Sequence, residues 1–246
     1  RKAMQWLASA VAAPHVIFCL LLLLLPVTAR NLASALQSRQ PTAAAPRRVS
    51  ICCPGGGVYF WWQAGAMHEL FRHYELSEQR VILSGMSAGA LACVFGVCGV
   101  EPDAAHAVAF GLAEEAGCLR NPLGLMGRWG RLVHEWLDTL LPADAARLCS
   151  GRCNVVVTRC TALPPRLYAD GLGTFTTRGA LIDALMASTH IPFFMDGRVT
   201  SRHVRGAADG GLLAWLHLPG CSSLALLCPE AAERAVAVVV HHEHDA

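Results

Sequence analysis

The feature that most constrains the fold is a strand, turn and helix pattern that occurs twice in residues 49–97. Val49–Cys52 is a short, β-prone apolar run that stops at the glycine triplet Gly55–Gly57, and a helix is predicted over Trp62–His73. Val81–Leu83 is a second apolar run, followed by a small-residue helix over Ala88–Val97. Short apolar strands that alternate with helices are typical of parallel sheets. The sequence therefore predicts an α/β fold with a mainly parallel central sheet.

The remainder of the chain continues the alternation of helices and strands without an internal repeat. The predicted elements are a helix from Pro102 toward Cys118, an amphipathic helix over Trp129–Leu137, a strand over Asn154–Thr158, a helix over Ala180–Ala187 capped by Thr176 or Thr177, and a last strand over Ala235–Val240.

The N-terminal part is uncharged from Ala3 to Ala29 and contains the apolar run Val16–Leu25. A basic start, a short apolar middle and a small-residue exit are typical of a secretory signal peptide. Extended back to Trp6, the run reaches about 20 residues, enough for a signal anchor that crosses a bilayer. Residues 1–29 are therefore expected to be a signal peptide or anchor. We expect a membrane-associated protein, sent through the secretory pathway or to an organelle by this segment.

Residues 30–48 contain no acidic side chain and are rich in Ala, Ser, Gln and Arg, which favours a linker or a transit-like segment. The folded domain is expected to span residues 49–246. The composition of the whole chain is shifted toward apolar residues: 54% of its residues are hydrophobic and only 15% are charged, whereas typical domains have about 45–50% and 25%. Contact with lipid is compatible with this composition.

Two classes of function receive no support from charge or cysteine spacing. The formal net charge is +2 and the sequence has no long run of Lys and Arg, whereas a nucleic-acid-binding protein needs a basic patch or stripe. The 11 cysteines show no zinc or disulfide framework; Cys52-Cys53 and the pair Cys149 and Cys153 come nearest. We interpret the cysteines as buried, small apolar side chains.

The motif Gly85-Met86-Ser87-Ala88-Gly89 lies directly after a predicted strand and directly before a predicted helix. A nucleophilic serine needs exposure on a tight strand-to-helix turn, and flanking glycines remove the Cβ atoms that would clash there. This context predicts that Ser87 is a nucleophile. An ordinary packing turn is the alternative.

Two further glycine motifs supply what such a serine would need. Backbone N–H groups of Gly55, Gly56 and Gly57 could stabilise the oxyanion of an acyl-transfer reaction, although three glycines could also form only a flexible turn. Asp209, followed by Gly210 and Gly211, could serve as the base that a hydroxyl nucleophile requires. An Asp-Gly hairpin turn is the alternative there.

Together and in this order, the three motifs resemble the signature elements of patatin-like phospholipases. Further stretches are similar to the animal branch that includes adipose triglyceride lipase and adiponutrin: Leu140–Asp144, Ser150–Arg152, Thr158-Arg159 and Ala187–Pro192. The resemblance covers about Val49 to Leu213. It implies a three-layer α/β/α patatin-like fold.

The resemblance also implies a chemistry. It assigns a Ser87/Asp209 dyad without histidine, an oxyanion hole at Gly55–Gly57, and hydrolysis of fatty-acyl esters without a metal or other cofactor. The implied partner is a lipid substrate, a phospholipid or an acylglycerol, presented at a membrane or lipid-droplet surface.

The chain departs from the family pattern at two places. Tyr59-Phe60-Trp61-Trp62 follows the glycine triplet where the family usually has a basic residue and another glycine. This block could pack in the core, narrow an acyl entrance or contact an interface. Leu212–Trp215 replaces the polar stretch that often follows the aspartate.

Two other functions remain open from the sequence. An α/β-hydrolase triad would use Ser87, Asp209 and one of His241, His242 or His244. A catalytically silent, membrane-associated lipid-binding protein would also fit the apolar N-terminus and the altered glycine loop. His190 and His203 are interpreted as structural.

Overall fold

The computed structural model describes residues 49–74, 76, 81–120, 124–162, 165–217, 222, 226–227 and 236–239. The predicted signal or anchor at 1–29, the linker at 30–48 and the histidines at 241–244 lie outside the described residues.

Strands and helices alternate through most of the described chain. The strands are β1 (Val49–Cys53), β2 (Val81–Met86), β3 (Cys153–Ala162), β4 (Pro165–Leu172), β5 (Ala207–Ala208) and β6 (Val236–Val239). The helices are α1 (Phe60–His73), α2 (Ala88–Cys98), α3 (Pro102–Glu115), α4 (Trp129–Leu140), α5 (Ala145–Cys149), α6 (Arg178–Ser188) and α7 (Leu212–Trp215).

The described strands form one sheet in the order β4-β3-β2-β1-β6, with β5 paired to β3. The pairs β1–β2, β1–β6 and β2–β3 are parallel, whereas β4 and β5 run antiparallel to β3. This confirms the predicted α/β fold with a mainly parallel sheet. Helices α2 and α6 pack against this sheet, in agreement with the predicted three-layer α/β/α fold.

The antiparallel strand β4 was not predicted, and its sequence explains why. It begins with Pro165, pairs only with β3 among the described strands, and carries the partly exposed Tyr168. Proline and polar residues are tolerated at a sheet edge because one side of the strand needs no ladder hydrogen bonds. Arg159 Nε binds Asp170 Oδ2 at 2.8 Å between the paired strands.

Helix α2 forms the centre of the core. Its first eight residues are all buried, so it has no polar face, which is the pattern of a helix enclosed by other elements. It packs against α1 and against β1, β2 and β3. It ends at Gly99, whose φ of 66° is the left-handed conformation that glycine adopts readily at helix ends.

The aromatic block after the glycine triplet divides between the core and the surface. Phe60 is 5% exposed and makes edge-to-face contacts with Trp61, Phe95 and Trp136. Trp62, in contrast, is 48% exposed. Core packing therefore accounts for Phe60 but not for the whole block.

The eight cysteines that the structure describes are free thiols. Six of them are buried and two are partly exposed, in agreement with their interpretation as small apolar side chains. Cys98 and Cys149 approach each other, with their sulfur atoms 3.8 Å apart.

The expected localisation requires correction. Within the described ranges, no helix is both long enough and apolar enough to cross a bilayer. The apolar run on which the expectation depended lies outside those ranges. The expectation of membrane association, secretion or organelle targeting through that segment is therefore contradicted by the described residues, none of which forms such a helix, and it is not retained.

Gly89 provides a test of how closely α2 approaches β1. A Cβ atom there would collide with the backbone oxygen of Cys53 and lie 2.6 Å from that of Pro54. Since backbone in a central strand cannot yield cheaply, we expect Gly89→Ala to lower the free energy of unfolding by about 1–3 kcal/mol or more.

Gly111 in α3 is the matched control, because a Cβ atom there meets open space. Gly111→Ala should be neutral or stabilising by up to about 1 kcal/mol through helix propensity. Urea unfolding of both variants measures the difference. Equal stability of the two variants would contradict the close approach.

Candidate active site

Ser87 occupies the turn between β2 and α2 in a strained conformation. Its φ of 52° and ψ of −124° are unusual for a residue with a side chain. Such backbone strain typically costs about 1–3 kcal/mol and persists only where the surroundings enforce it. The turn sets Ser87 at the N-terminus of α2, where the helix dipole favours negative charge.

The two motif glycines are required by backbone contacts. A Cβ atom on Gly85 would lie 2.5 Å from the carbonyl oxygen of Gly89 and 2.6 Å from the backbone of Ala90. Gly89 in turn faces the end of β1, as described above. The sharpness of the turn therefore depends on the absence of side chains at both positions.

The glycine triplet lies beside Ser87. A Cβ atom on Gly55 would stand 3.5 Å from the Cβ atom of Ser87. Gly57 has a φ of 53° and opens a 3-10 turn over Gly57–Tyr59. The fully buried side chain of Gln63 holds the start of this loop, because its Nε2 donates a hydrogen bond at 2.8 Å to the carbonyl of Pro54, the residue before Gly55.

Asp209 follows β5 in a turn that is tied to the end of α6. The Asp209 N–H donates to the His190 carbonyl at 2.9 Å, and the Gly210 N–H donates to the Ser188 carbonyl at 2.9 Å. A Cβ atom on Gly210 would collide with the Val156 carbonyl. Glycine at position 210 thus lets the turn lie against the backbone of β3 at Val156.

The carboxyl group of Asp209 is held asymmetrically. Oδ1 accepts a hydrogen bond from the Gly211 N–H at 2.8 Å. Oδ2 is buried and has no hydrogen-bond partner among the described residues, although the residue as a whole keeps some exposure. Burial raises the pKa of Asp209 to about 6, and the Ser87 hydroxyl and the Gly211 N–H partly oppose this rise. A carboxyl with this pKa is suited to exchange a proton near neutral pH.

The apolar continuation after the aspartate forms helix α7. Leu212 and Leu213 are 6% and 0% exposed, and Leu212 packs against Ala208, the residue before Asp209. The departure from the family pattern therefore gives the turn an apolar support. It leaves the Gly211 hydrogen bond to the carboxyl in place.

The described histidines do not form a triad with Ser87 and Asp209. His190 is 3% exposed, its Nε2 lies 3.2 Å from the Arg198 carbonyl, and burial lowers its pKa. His203 pairs with Asp183, with Nδ1 and Oδ1 2.7 Å apart. Both have the structural contacts that the sequence analysis expected. Among the described residues, no group of three or more His, Cys, Asp or Glu side chains could hold a metal ion.

An apolar cavity of about 130 Å³ adjoins Ser87. Helices α1, α2, α3 and α4 contribute most of its wall, and the glycine loop contributes Gly57 and Val58. The lining is largely aliphatic and aromatic, including Phe60, Trp61, Leu91, Ala109 and Trp136. An apolar pocket with a serine in its wall can hold an acyl chain beside that residue.

Sequence reasoning missed two polar side chains that shape this site, Gln63 and Ser188. Gln63 was visible only as an amide within a predicted helix. Ser188 lay in the stretch Ala187–Pro192, which was noted for its resemblance but given no role. Neither signal indicates which backbone group the side chain would contact.

Three curated proteins show detectable similarity to the chain. Human omega-hydroxyceramide transacylase is 29% identical over 154 residues, covering 59% of this chain and 27% of that protein. The mouse omega-hydroxyceramide transacylase is 27% identical over 154 residues, covering 59% and 24%. Human 1-acylglycerol-3-phosphate O-acyltransferase PNPLA3 is 29% identical over 154 residues, covering 61% and 31%. The chain thus spans less than a third of the length of these relatives.

No solved structure matches the chain significantly. A family model described as patatin-like phospholipase matches residues 51–216, which include the glycine loop, Ser87 and Asp209. This is more than half of the chain, and the relatives support the predicted likeness to the adiponutrin branch. The chain belongs to the patatin-like phospholipase family.

Proposed function

We propose that this protein is a serine lipid acyl hydrolase that cleaves fatty-acyl esters of phospholipids or acylglycerols, presented at a membrane or lipid-droplet surface. The observation that carries the proposal is the apolar cavity whose wall includes Ser87. Family membership supports acyl chemistry on lipids, and the raised pKa of Asp209 supports a role as base.

In the proposed mechanism, the Ser87 hydroxyl attacks the ester carbonyl while Asp209 takes its proton. The tetrahedral oxyanion receives hydrogen bonds from backbone N–H groups of the Gly55–Gly57 loop. No hydrogen bond among the described residues occupies those N–H groups. The ester bond breaks, the alcohol leaves with the proton from Asp209, and an acyl group remains on Ser87.

Water completes the cycle by attacking the acyl group on Ser87. Asp209 accepts a proton from this water, the fatty acid leaves, and the proton returns to the Ser87 oxygen. Each proton taken in one half of the reaction is given back in the same half, so no histidine is required.

Acyl transfer to a lipid hydroxyl is a second candidate, favoured by the names of the relatives, which are a transacylase and an acyltransferase. The first half of the mechanism is unchanged, and a hydroxylated lipid replaces water in the second half. Incubation of an acyl-labelled acylglycerol with and without such an acceptor separates the two. Label in fatty acid alone, with the acceptor present, supports hydrolysis; label in the acceptor overturns it in favour of transfer.

Removing either proposed dyad residue should abolish turnover. We expect Ser87→Ala and Asp209→Asn to lower kcat for a short-chain ester by at least about 10³-fold, because the first lacks the nucleophile and the second cannot accept a proton. Hydrolysis of p-nitrophenyl butyrate measures the loss.

Asp183→Asn is the matched control, since Asp183 lies on α6 and pairs with His203 rather than with Ser87. It should retain turnover.

Asp209→Asn should unfold at the same or a higher temperature at pH 8, because it removes a buried carboxylate without a partner for Oδ2. Normal turnover in either dyad variant would refute the assignment.

The pKa of Asp209 predicts the pH dependence of Ser87 reactivity. Only the ionised carboxyl can accept the serine proton, and burial raises its pKa from the ordinary 3.8 to about 6. The rate of labelling by a fluorophosphonate should therefore fall as the pH drops through about 6 and level off above it. Stopped assays between pH 4.5 and 8.5 measure the midpoint. A midpoint near 4 would show that burial does not raise the pKa of Asp209, and a flat profile would show that Asp209 is not the base.

The cavity predicts that acyl-chain preference can be altered from α3. Ala109 lines the cavity, so Ala109→Phe should fill it and obstruct long chains more than short ones. We expect the ratio of kcat/KM for p-nitrophenyl dodecanoate to that for p-nitrophenyl acetate to fall roughly tenfold or more, the range seen for small changes in apolar pockets.

Ala107→Phe on the same helix is the control, because Ala107 is exposed to solvent. It introduces the same side chain outside the cavity and should leave the ratio unchanged. An unchanged ratio in Ala109→Phe would mean that the cavity does not hold the acyl chain.

A further inference from the structure

Ser188 is a fully buried serine at the end of α6 whose hydroxyl joins two other elements. Its Oγ accepts a hydrogen bond from the Ser87 N–H at 2.9 Å and donates one to the Val156 carbonyl at 2.6 Å. Val156 lies opposite Met86 at the end of the β2–β3 ladder. The hydroxyl therefore bridges the two strands where direct pairing stops and the turn to Ser87 begins.

The backbone of the same residue holds the other side of the site. The Ser188 carbonyl accepts the Gly210 N–H at 2.9 Å, and the carbonyl of His190, two residues later, accepts the Asp209 N–H at 2.9 Å. Through its side chain and its carbonyl, Ser188 is thus bonded both to Ser87 and to the turn that carries Asp209.

The N–H group that donates to Ser188 belongs to Ser87, a residue with a strained backbone conformation. The positive φ of Ser87 persists only if surrounding contacts enforce it. An N–H group left without an acceptor in a buried position costs roughly 1–3 kcal/mol, and the Ser188 hydroxyl removes that cost only in the observed conformation of the turn. Loss of the hydroxyl would let the turn relax and move the Ser87 side chain.

We infer that Ser188 is a positioning residue that sets the placement of Ser87 relative to Asp209. The inference rests on the proposed function, since it assigns Ser188 to the same reaction. Ser188 acts through the backbone N–H of Ser87 and through the Gly210 turn, and its hydroxyl takes no proton from the substrate.

The test compares Ser188→Ala with Ser150→Ala. The Ser150 hydroxyl also joins two backbone groups, donating to the Phe175 carbonyl and accepting the Phe175 N–H, both at 2.9 Å. The two variants therefore lose a hydroxyl with the same number of hydrogen bonds. Only Ser188→Ala loses one that is bonded to Ser87.

The readouts are kcat and KM for p-nitrophenyl butyrate and the rate at which an alkyl fluorophosphonate labels Ser87. We expect Ser188→Ala to lower kcat and the labelling rate together, by up to roughly 100-fold, with little change in KM. A misplacement of about 1 Å in a catalytic group has effects of this size. Ser150→Ala should keep both rates near the wild-type values at a comparable loss of thermal stability.

Equal kcat and labelling rates in the two variants would overturn the inference and leave Ser188 a structural serine. If Ser188→Ala does not fold, Ser188→Cys is measured instead, since it conserves shape and weakens both hydrogen bonds; wild-type rates in that variant would overturn the inference as well. Failure of the proposed function is distinguishable, because wild-type protein would then show no labelling at Ser87.

Discussion

The structure depends on one tight backbone crossing, in which the turn from β2 to α2 passes against the end of β1. Gly85 and Gly89 allow it, because a Cβ atom at either position would strike backbone. Ser87, which lies within this turn, has a positive φ of 52°. The crossing places Ser87 beside the Gly55 loop, which begins where β1 ends, and at the N-terminus of α2, whose apolar residues form one wall of the cavity. Displacing this turn would separate all of these features.

The second requirement is a carboxylate kept short of hydrogen bonds. Burial raises the pKa of Asp209, and the Ser87 hydroxyl together with the Gly211 N–H, which donates to Oδ1, opposes only part of that rise. A salt bridge to a cation would lower the pKa and weaken the group as a base. If Asp209 is the base, as proposed, the arrangement lowers stability in favour of reactivity, as is common where function needs an unsatisfied group. Packing of Leu212 and Leu213 behind the turn offsets part of that cost.

The sequence predicted those parts of the fold that local patterns encode. Short apolar runs identified β1, β2, β3 and β6, and Thr177 caps α6 by accepting the Ala180 N–H at 3.1 Å. The spacing of Gly85, Ser87 and Gly89 indicated the turn because only glycine fits there. What it could not reveal were features that no local pattern encodes: the edge strand β4, the Gln63 support of the glycine loop, and the Ser188 bridge. The nucleophile assigned to Ser87, the base assigned to Asp209 and the oxyanion loop at Gly55–Gly57 stay predictions, as does the domain boundary before Val49.

The central claim is that Ser87 is the nucleophile of an acyl-transfer reaction. It is tested most directly by peptide mass spectrometry of the protein after brief exposure to an acyl ester at pH 8, where Asp209 is ionised, followed by an acid quench that stops deacylation and by digestion. We expect one acyl group per chain, on the peptide that contains Ser87. Acylation at another side chain, or turnover of the ester with no acyl group ever detected on Ser87, would contradict it.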